Sequence, residues 1–94
     1  MTIKVKINEE ESEWTNFTKL TKWSRYNEIT YIDCKFNALK ELPKLPNSLQ
    51  VRYCNNNKLK ELPKLPNSLQ TLYCSFNELK ELPKLPNSLH TLYF

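Results

Sequence analysis

The chain has no glycine among its 94 residues, only one methionine and only one histidine. Each shortage excludes something. Without glycine there is no phosphate-cradling loop of the glycine-rich type. Every backbone position that needs φ > 0 must also use a residue that carries a Cβ. Asparagine tolerates that conformation best, and it recurs at Asn37, Asn57 and Asn77 and at Asn47, Asn67 and Asn87. These are the expected left-handed positions. The single histidine, His90, stands where Gln50 and Gln70 stand in the neighbouring copies, so a surface polar role is expected of it. No nucleophile–base pair, acid pair or metal cluster is readable, and the expectation is a non-enzyme with no catalytic residue, no metal and no cofactor.

No apolar stretch approaches the roughly 18 residues a membrane-spanning helix needs, so no membrane partner is expected. The opening MTIKVKINEEE has no apolar signal core, and Asn16-Phe17-Thr18 is treated as a chance glycosylation spacing. The three cysteines are odd in number and form no C-x-x-C pair, which argues against a disulfide framework or a zinc site. Cys34, Cys54 and Cys74 are expected to be small buried hydrophobes in a protein of the cytoplasm.

What is present is periodicity. The words LKELPKLPNSL occur at Leu39, Leu59 and Leu79, each copy 20 residues after the last. A fixed period in this range signals a leucine-rich solenoid whose units bury their apolar side only by stacking. Leu69, Leu72, Cys74, Asn77 and Leu79 follow the L-x-x-L-x-C-x-x-N-x-L spacing. A strand is expected from Gln70 to Ser75, with Leu72 and Cys74 inward and Thr71, Tyr73 and Ser75 outward. The return leg carries two prolines, which suit neither a central strand nor a regular helix. An extended, polyproline-like leg is expected, with Leu79, Leu82 and Leu85 facing the core. The Asn37, Asn57 and Asn77 side chains are expected to bond free backbone groups of their own and the next loop.

The proline-paired copies resemble the short leucine-rich repeats of secreted bacterial effector proteins (L-P-x-L-P-x-x-L-x-x-L), and similar repeats occur in large DNA viruses. The resemblance covers Ile29 to Phe94. It implies an α/β leucine-rich-repeat solenoid with a parallel concave sheet, extended convex legs and an N-terminal strand-helix cap, used to bind proteins. Some effectors add a ubiquitin-ligase domain with a Cys-x-Asp motif. The triplets Cys34-Lys35-Phe36, Cys54-Asn55-Asn56 and Cys74-Ser75-Phe76 do not fit that motif.

Two segments are expected: a cap over residues 1–28, and three full repeats plus a partial fourth over 29–94. In the cap, Thr2 to Ile7 alternates as a strand. Asn8 before Glu9, Glu10 and Glu11 reads as a helix start, giving a helix from Glu9 to about Trp23. A first repeat strand from Ile29 to Cys34 would then complete a right-handed βαβ crossover. Trp14 and Trp23 are expected to pack in the cap.

The candidate partner-binding face comprises the outward ladders Tyr31, Val51, Thr71, Thr91 and Asp33, Tyr53, Tyr73, Tyr93, with Phe36 and Phe76 at the rim. Tyrosine supplies rigid area with a polar tip at interfaces. A protein partner is therefore the leading expectation. One alternative is a recognition fragment of a larger enzyme such as a ubiquitin-ligase effector. The other is a polyanion binder using Lys40, Lys60, Lys80 and Lys44, Lys64, Lys84, with nucleic acid disfavoured. Net charge is +4, and the excess lies in residues 31–94, which hold nine bases and five acids against five of each in residues 1–30. Arg52 breaks the pattern, because Ile32, Leu72 and Leu92 fill its slot elsewhere. It is expected to carry its guanidinium to a carbonyl or to solvent. Thr91 to Phe94 forms a last strand with no return leg, so either a longer solenoid or self-association through this C-terminal edge strand is expected.

Overall fold

The computed structural model describes residues 1–94 as a small mixed α/β-type domain with one six-stranded sheet and little helix. The strands are β1 (Ile3–Ile7), β2 (Glu10–Trp14), β3 (Tyr31–Asp33), β4 (Val51–Tyr53), β5 (Thr71–Tyr73) and β6 (Thr91–Tyr93). Their order across the sheet is β2-β1-β3-β4-β5-β6. β3 to β6 are parallel, and each residue pairs with the residue 20 positions on, as in Tyr31↔Val51↔Thr71↔Thr91. This register follows from the apolar pattern. A slip of one residue would turn Leu72 out and Tyr73 in.

The N-terminal segment departs from expectation. β1 pairs antiparallel with both β2 and β3, so the sheet is mixed and there is no βαβ crossover. Glu9 to Trp23 is not one helix. Glu10–Trp14 is a strand, and only Phe17–Thr21 is helical (α1), followed by a 3₁₀ turn at Tyr26–Glu28. Asn8 starts no helix. It sits in the two-residue turn between β1 and β2 with φ 55°, the left-handed value that a tight hairpin requires. The helix starts instead at Asn16, whose Oδ1 accepts from the Lys19 amide at 3.1 Å. The strand wins over the acidic helix signal because Ser12 and Trp14 alternate with Glu11 and Glu13. Pairing with β1 lets this alternation cover the core edge, while both glutamates stay exposed.

The core runs between the sheet and the return legs. Ile3, Val5, Ile29, Ile32, Leu49, Leu69, Leu72 and the three cysteines are buried in one cluster. Leu20 and Tyr26 close its N-terminal end, and Trp14 stacks on Trp23 at 5.0 Å against it. The legs 40–47, 60–67 and 80–86 form neither strand nor helix, in keeping with their prolines. Leu59, Leu62 and Leu65 of the middle leg are buried. In the last leg Leu85 is 41% exposed instead of core-facing, because it lies on the outer flank where no further leg packs.

The asparagine ladder does what the spacing expects. Asn57 Oδ1 accepts from the amides of Asn37 and Leu39 at 3.0 Å, and its Nδ2 donates to the carbonyls of Cys34 and Cys54 at 3.1 and 3.0 Å. Asn77 bonds Leu59, Cys54 and Cys74 in the same way. Contrary to expectation, neither Asn37, Asn57 and Asn77 nor Asn47, Asn67 and Asn87 are left-handed. Positive φ falls on the residue just before each of the first three, at Phe36, Asn56 and Phe76, and also at Ala38. The turn must reverse one position earlier to aim the Asn side chain back into the loop.

Candidate functional site

Three-residue strands with an inward middle position put two side chains per strand on the open sheet face. Tyr31, Val51, Thr71 and Thr91 form one row, and Asp33, Tyr53, Tyr73 and Tyr93 the other. All eight expected residues lie on this face. The sheet spacing of about 4.8 Å brings the rings into contact. Tyr53 and Tyr73 lie 4.7 Å apart between centroids, and Tyr73 and Tyr93 4.4 Å. Tyr31 joins them diagonally, edge-on to Tyr53 at 5.5 Å, so one run of four tyrosines crosses both rows. Tilted packing of this kind occupies the ring faces and presents ring edges and hydroxyls outward. Tyr93 is the most open of the four at 53%. Burial raises the ionisation of Tyr73 above the usual tyrosine range, with Tyr93 and Tyr53 adding to it. The same holds for Tyr31, with Asp33 adding. The Tyr31 and Tyr73 hydroxyls therefore stay neutral donors and acceptors at physiological pH.

Asp33 does not extend the tyrosine run. It is held by its own loop, with Oδ1 accepting from the Lys35 amide at 3.1 Å and Oδ2 3.3 Å from Lys35 Nζ. Lys35 also lies 5.4 Å over the Tyr53 ring, and Lys6 lies 4.6 Å over Tyr31. Lys6, Lys4, Glu11 and Glu13 belong to this face, because Lys6 pairs with Tyr31 and Lys4 with Asp33, while Glu11 and Glu13 pair with Lys6 and Lys4. The sequence reading missed all four. Its own alternation of Ile3, Val5 and Ile7 already placed Lys4 and Lys6 outward, but reading residues 9–23 as helix hid the hairpin that continues the face.

Phe36 and Phe76 stand two turns apart at the end of the strands, with Asn56 in the equivalent place between them. Both have left-handed backbones, φ 59° and 56°, and their side chains are 68% and 80% exposed. Left-handed backbone costs a residue with a Cβ about 1 kcal/mol or more, and an exposed phenyl ring gains nothing from burial. Asn56 shows the comfortable solution at the same place, with φ 59°.

The inward row holds Arg52, which is 1% exposed. It reaches neither a carbonyl nor solvent, contrary to expectation. Nη2 donates to Cys34 Sγ at 3.3 Å, the guanidinium lies 5.9 Å over Phe17, and Nε and Nη1 have no partner. The slot lies too deep between flanking rungs for the side chain to thread outward. All three thiols are free and buried. Burial pushes Cys54 up to about 12 and Cys74 up to about 11, and it raises Cys34 despite Arg52. They are inert, protonated core groups. No group of His, Cys, Asp and Glu is placed to hold a metal ion, and no helix is long and apolar enough to cross a membrane.

No protein-family model matches the chain, and no curated protein matches it.

Proposed function

We propose that this chain is a leucine-rich-repeat solenoid that binds a protein partner through its open, concave face, without catalysing a reaction. The 20-residue register of β3 to β6 and the asparagine ladder support the solenoid reading. They also support the division into an N-terminal cap over 1–28 and repeats over 29–94, and the likeness to effector-type L-P-x-L-P repeats. Free buried thiols fit a reducing, cytoplasmic setting. One observation carries the binding role: Phe36 and Phe76 are held exposed on left-handed backbones beside the tyrosine run. Two unfavourable choices coincide at both positions, and burial against a partner would repay them. The tyrosines give the partner a rigid floor, and Lys4, Lys6 and Lys35 interleaved with Glu11, Glu13 and Asp33 give its N-terminal end a mixed-charge margin.

The test is affinity capture from the cell that makes the protein, using wild type, Phe36→Asn/Phe76→Asn and Tyr53→Ala/Tyr73→Ala. A protein held by wild type and lost from both variants, with their circular dichroism unchanged, is the expected result. Equal recovery on all three baits overturns the proposal.

A further inference from the structure

We infer that the face opposite the tyrosines binds a linear chain of phosphate groups, inorganic polyphosphate being the form it fits. Two adjacent grooves lie between the return legs, with equivalent walls. One, of about 380 Å³, is bounded by Lys44, Leu45 and Asn47 on one leg and Lys64, Leu65 and Asn67 on the next. The other, of about 520 Å³, is bounded by Lys64, Leu65 and Asn67 and then by Lys84 and Leu85. Lys64 is shared, so three ammonium groups flank two grooves in line.

Two further observations support anion binding at these grooves. None of the ion pairs in the molecule involves Lys44, Lys64 or Lys84, although Glu41, Glu61 and Glu81 lie on the same legs. The amides of Lys64, Leu65 and Asn67 also donate to no acceptor in the chain. Asn47 differs, because its amide is taken by Asn27 Oδ1 at 3.2 Å.

The ligand class follows from shape. A row of three lysines set one strand spacing apart, roughly 10 Å in all, engages few phosphates of a rigid duplex. A narrow, flexible phosphate chain can lie across the legs and place anionic groups in both grooves at once. Linked sites of this kind gain by effective concentration, so orthophosphate alone should bind far more weakly.

The experiment is fluorescence anisotropy of the full chain with end-labelled inorganic polyphosphate, across a salt series. Saturable binding that weakens linearly in log salt is expected. Lys44→Gln/Lys64→Gln/Lys84→Gln should weaken it roughly tenfold or more. Lys40→Gln/Lys60→Gln/Lys80→Gln carries the same net charge change on the same legs and should weaken it far less. Tyr53→Ala/Tyr73→Ala should leave it unchanged, which separates this site from the open face. Equal losses in the two lysine variants would mean bulk charge attraction and overturn the inference. So would duplex DNA binding as tightly at equal phosphate concentration. Should a variant fail to fold, amide shifts of wild type on titration with polyphosphate decide the matter. Shifts gathered at Lys64, Leu65 and Asn67 support the site, and shifts elsewhere or none overturn it.

Discussion

In the N-terminal hairpin, β1 and β2 pair over five positions, and backbone bonds do most of the joining. In the copies each strand has only three residues, and the loops beyond them are tied by asparagine side chains. The hairpin is thus held by a ladder any alternating sequence could form. The copies also share backbone bonds, such as the Cys54 amide to the Tyr73 carbonyl at 2.8 Å, and add to them side chains repeated at fixed positions, the asparagines and the Ser68 and Ser88 hydroxyls. The helix α1 uses one asparagine side chain as well, but its Asn16 cap makes a single local bond. The lesson is that a short periodic unit reinforces its backbone bonds with side chains repeated at fixed positions.

Substitution tests that contrast most sharply. Asn57→Ala leaves the amides of Asn37 and Leu39 without a partner, while the carbonyls of Cys34 and Cys54 keep Asn37 Nδ2 and Asn77 Nδ2. At 1–3 kcal/mol for each buried group left unsatisfied, and less where another partner remains, a loss of about 4 kcal/mol is expected. Asn16→Ala should cost about 1 kcal/mol, the worth of an exposed helix cap. Urea denaturation of both variants measures the gap, and equal costs would break the comparison.

A second test lies in the inward row. Arg52→Leu replaces a guanidinium with two unpartnered nitrogens by the residue that fills the slot at Leu72 and Leu92. The change should stabilise the fold by about 2 kcal/mol, roughly one buried leucine. A denaturation midpoint that stays put or falls would show that Arg52 is held by more than Cys34 and Phe17.

The copies should also be the more sensitive region to alkali. Cys54 is raised from an ordinary 9.0 to about 12 by burial. The unfolded thiol therefore loses its proton first. Its contribution to stability is complete below pH 9 and is lost as pH climbs from 9 towards 12. The slope from one thiol is at most about 1.4 kcal/mol per pH unit. Thermal melts of wild type and Cys54→Val over that range should diverge, with wild type falling more steeply. Parallel curves would mean that the thiol is more open than its burial implies.

The smallest effect sharpens the link to function. Phe76→Asn places the residue type of Asn56 on a left-handed backbone and removes an exposed ring. It should raise stability by about 1 kcal/mol while weakening partner binding. A thermal melt read beside a binding assay checks the opposed signs, and a fall in stability would mean the ring packs within the chain.

Much of the open face was legible from spacing alone. Period-2 alternation within a fixed 20-residue period leaves no freedom about which side Tyr53, Tyr73 and Tyr93 occupy, and the same logic placed Cys34, Cys54 and Cys74 inside. Lys4, Lys6, Glu11 and Glu13 were not found, because an acidic run after asparagine satisfies the local rules for a helix start. Local rules say nothing of a neighbouring strand edge waiting to be paired.

The sequence by itself determined the parallel register, the asparagine ladder and the rows of the face. Each of these repeats, and a one-residue error would fail in every copy at once. The tertiary structure alone decided the events that happen once. It made a hairpin of residues 3–14, since β3 presents an edge that only an antiparallel partner covers here. It moved the left-handed backbone from the asparagines to Phe36, Asn56 and Phe76, because the ladder's side chains must point inward to reach two loops. It also trapped Arg52 against Cys34 and Phe17, because the rungs on either side close over the slot before a long side chain can leave it.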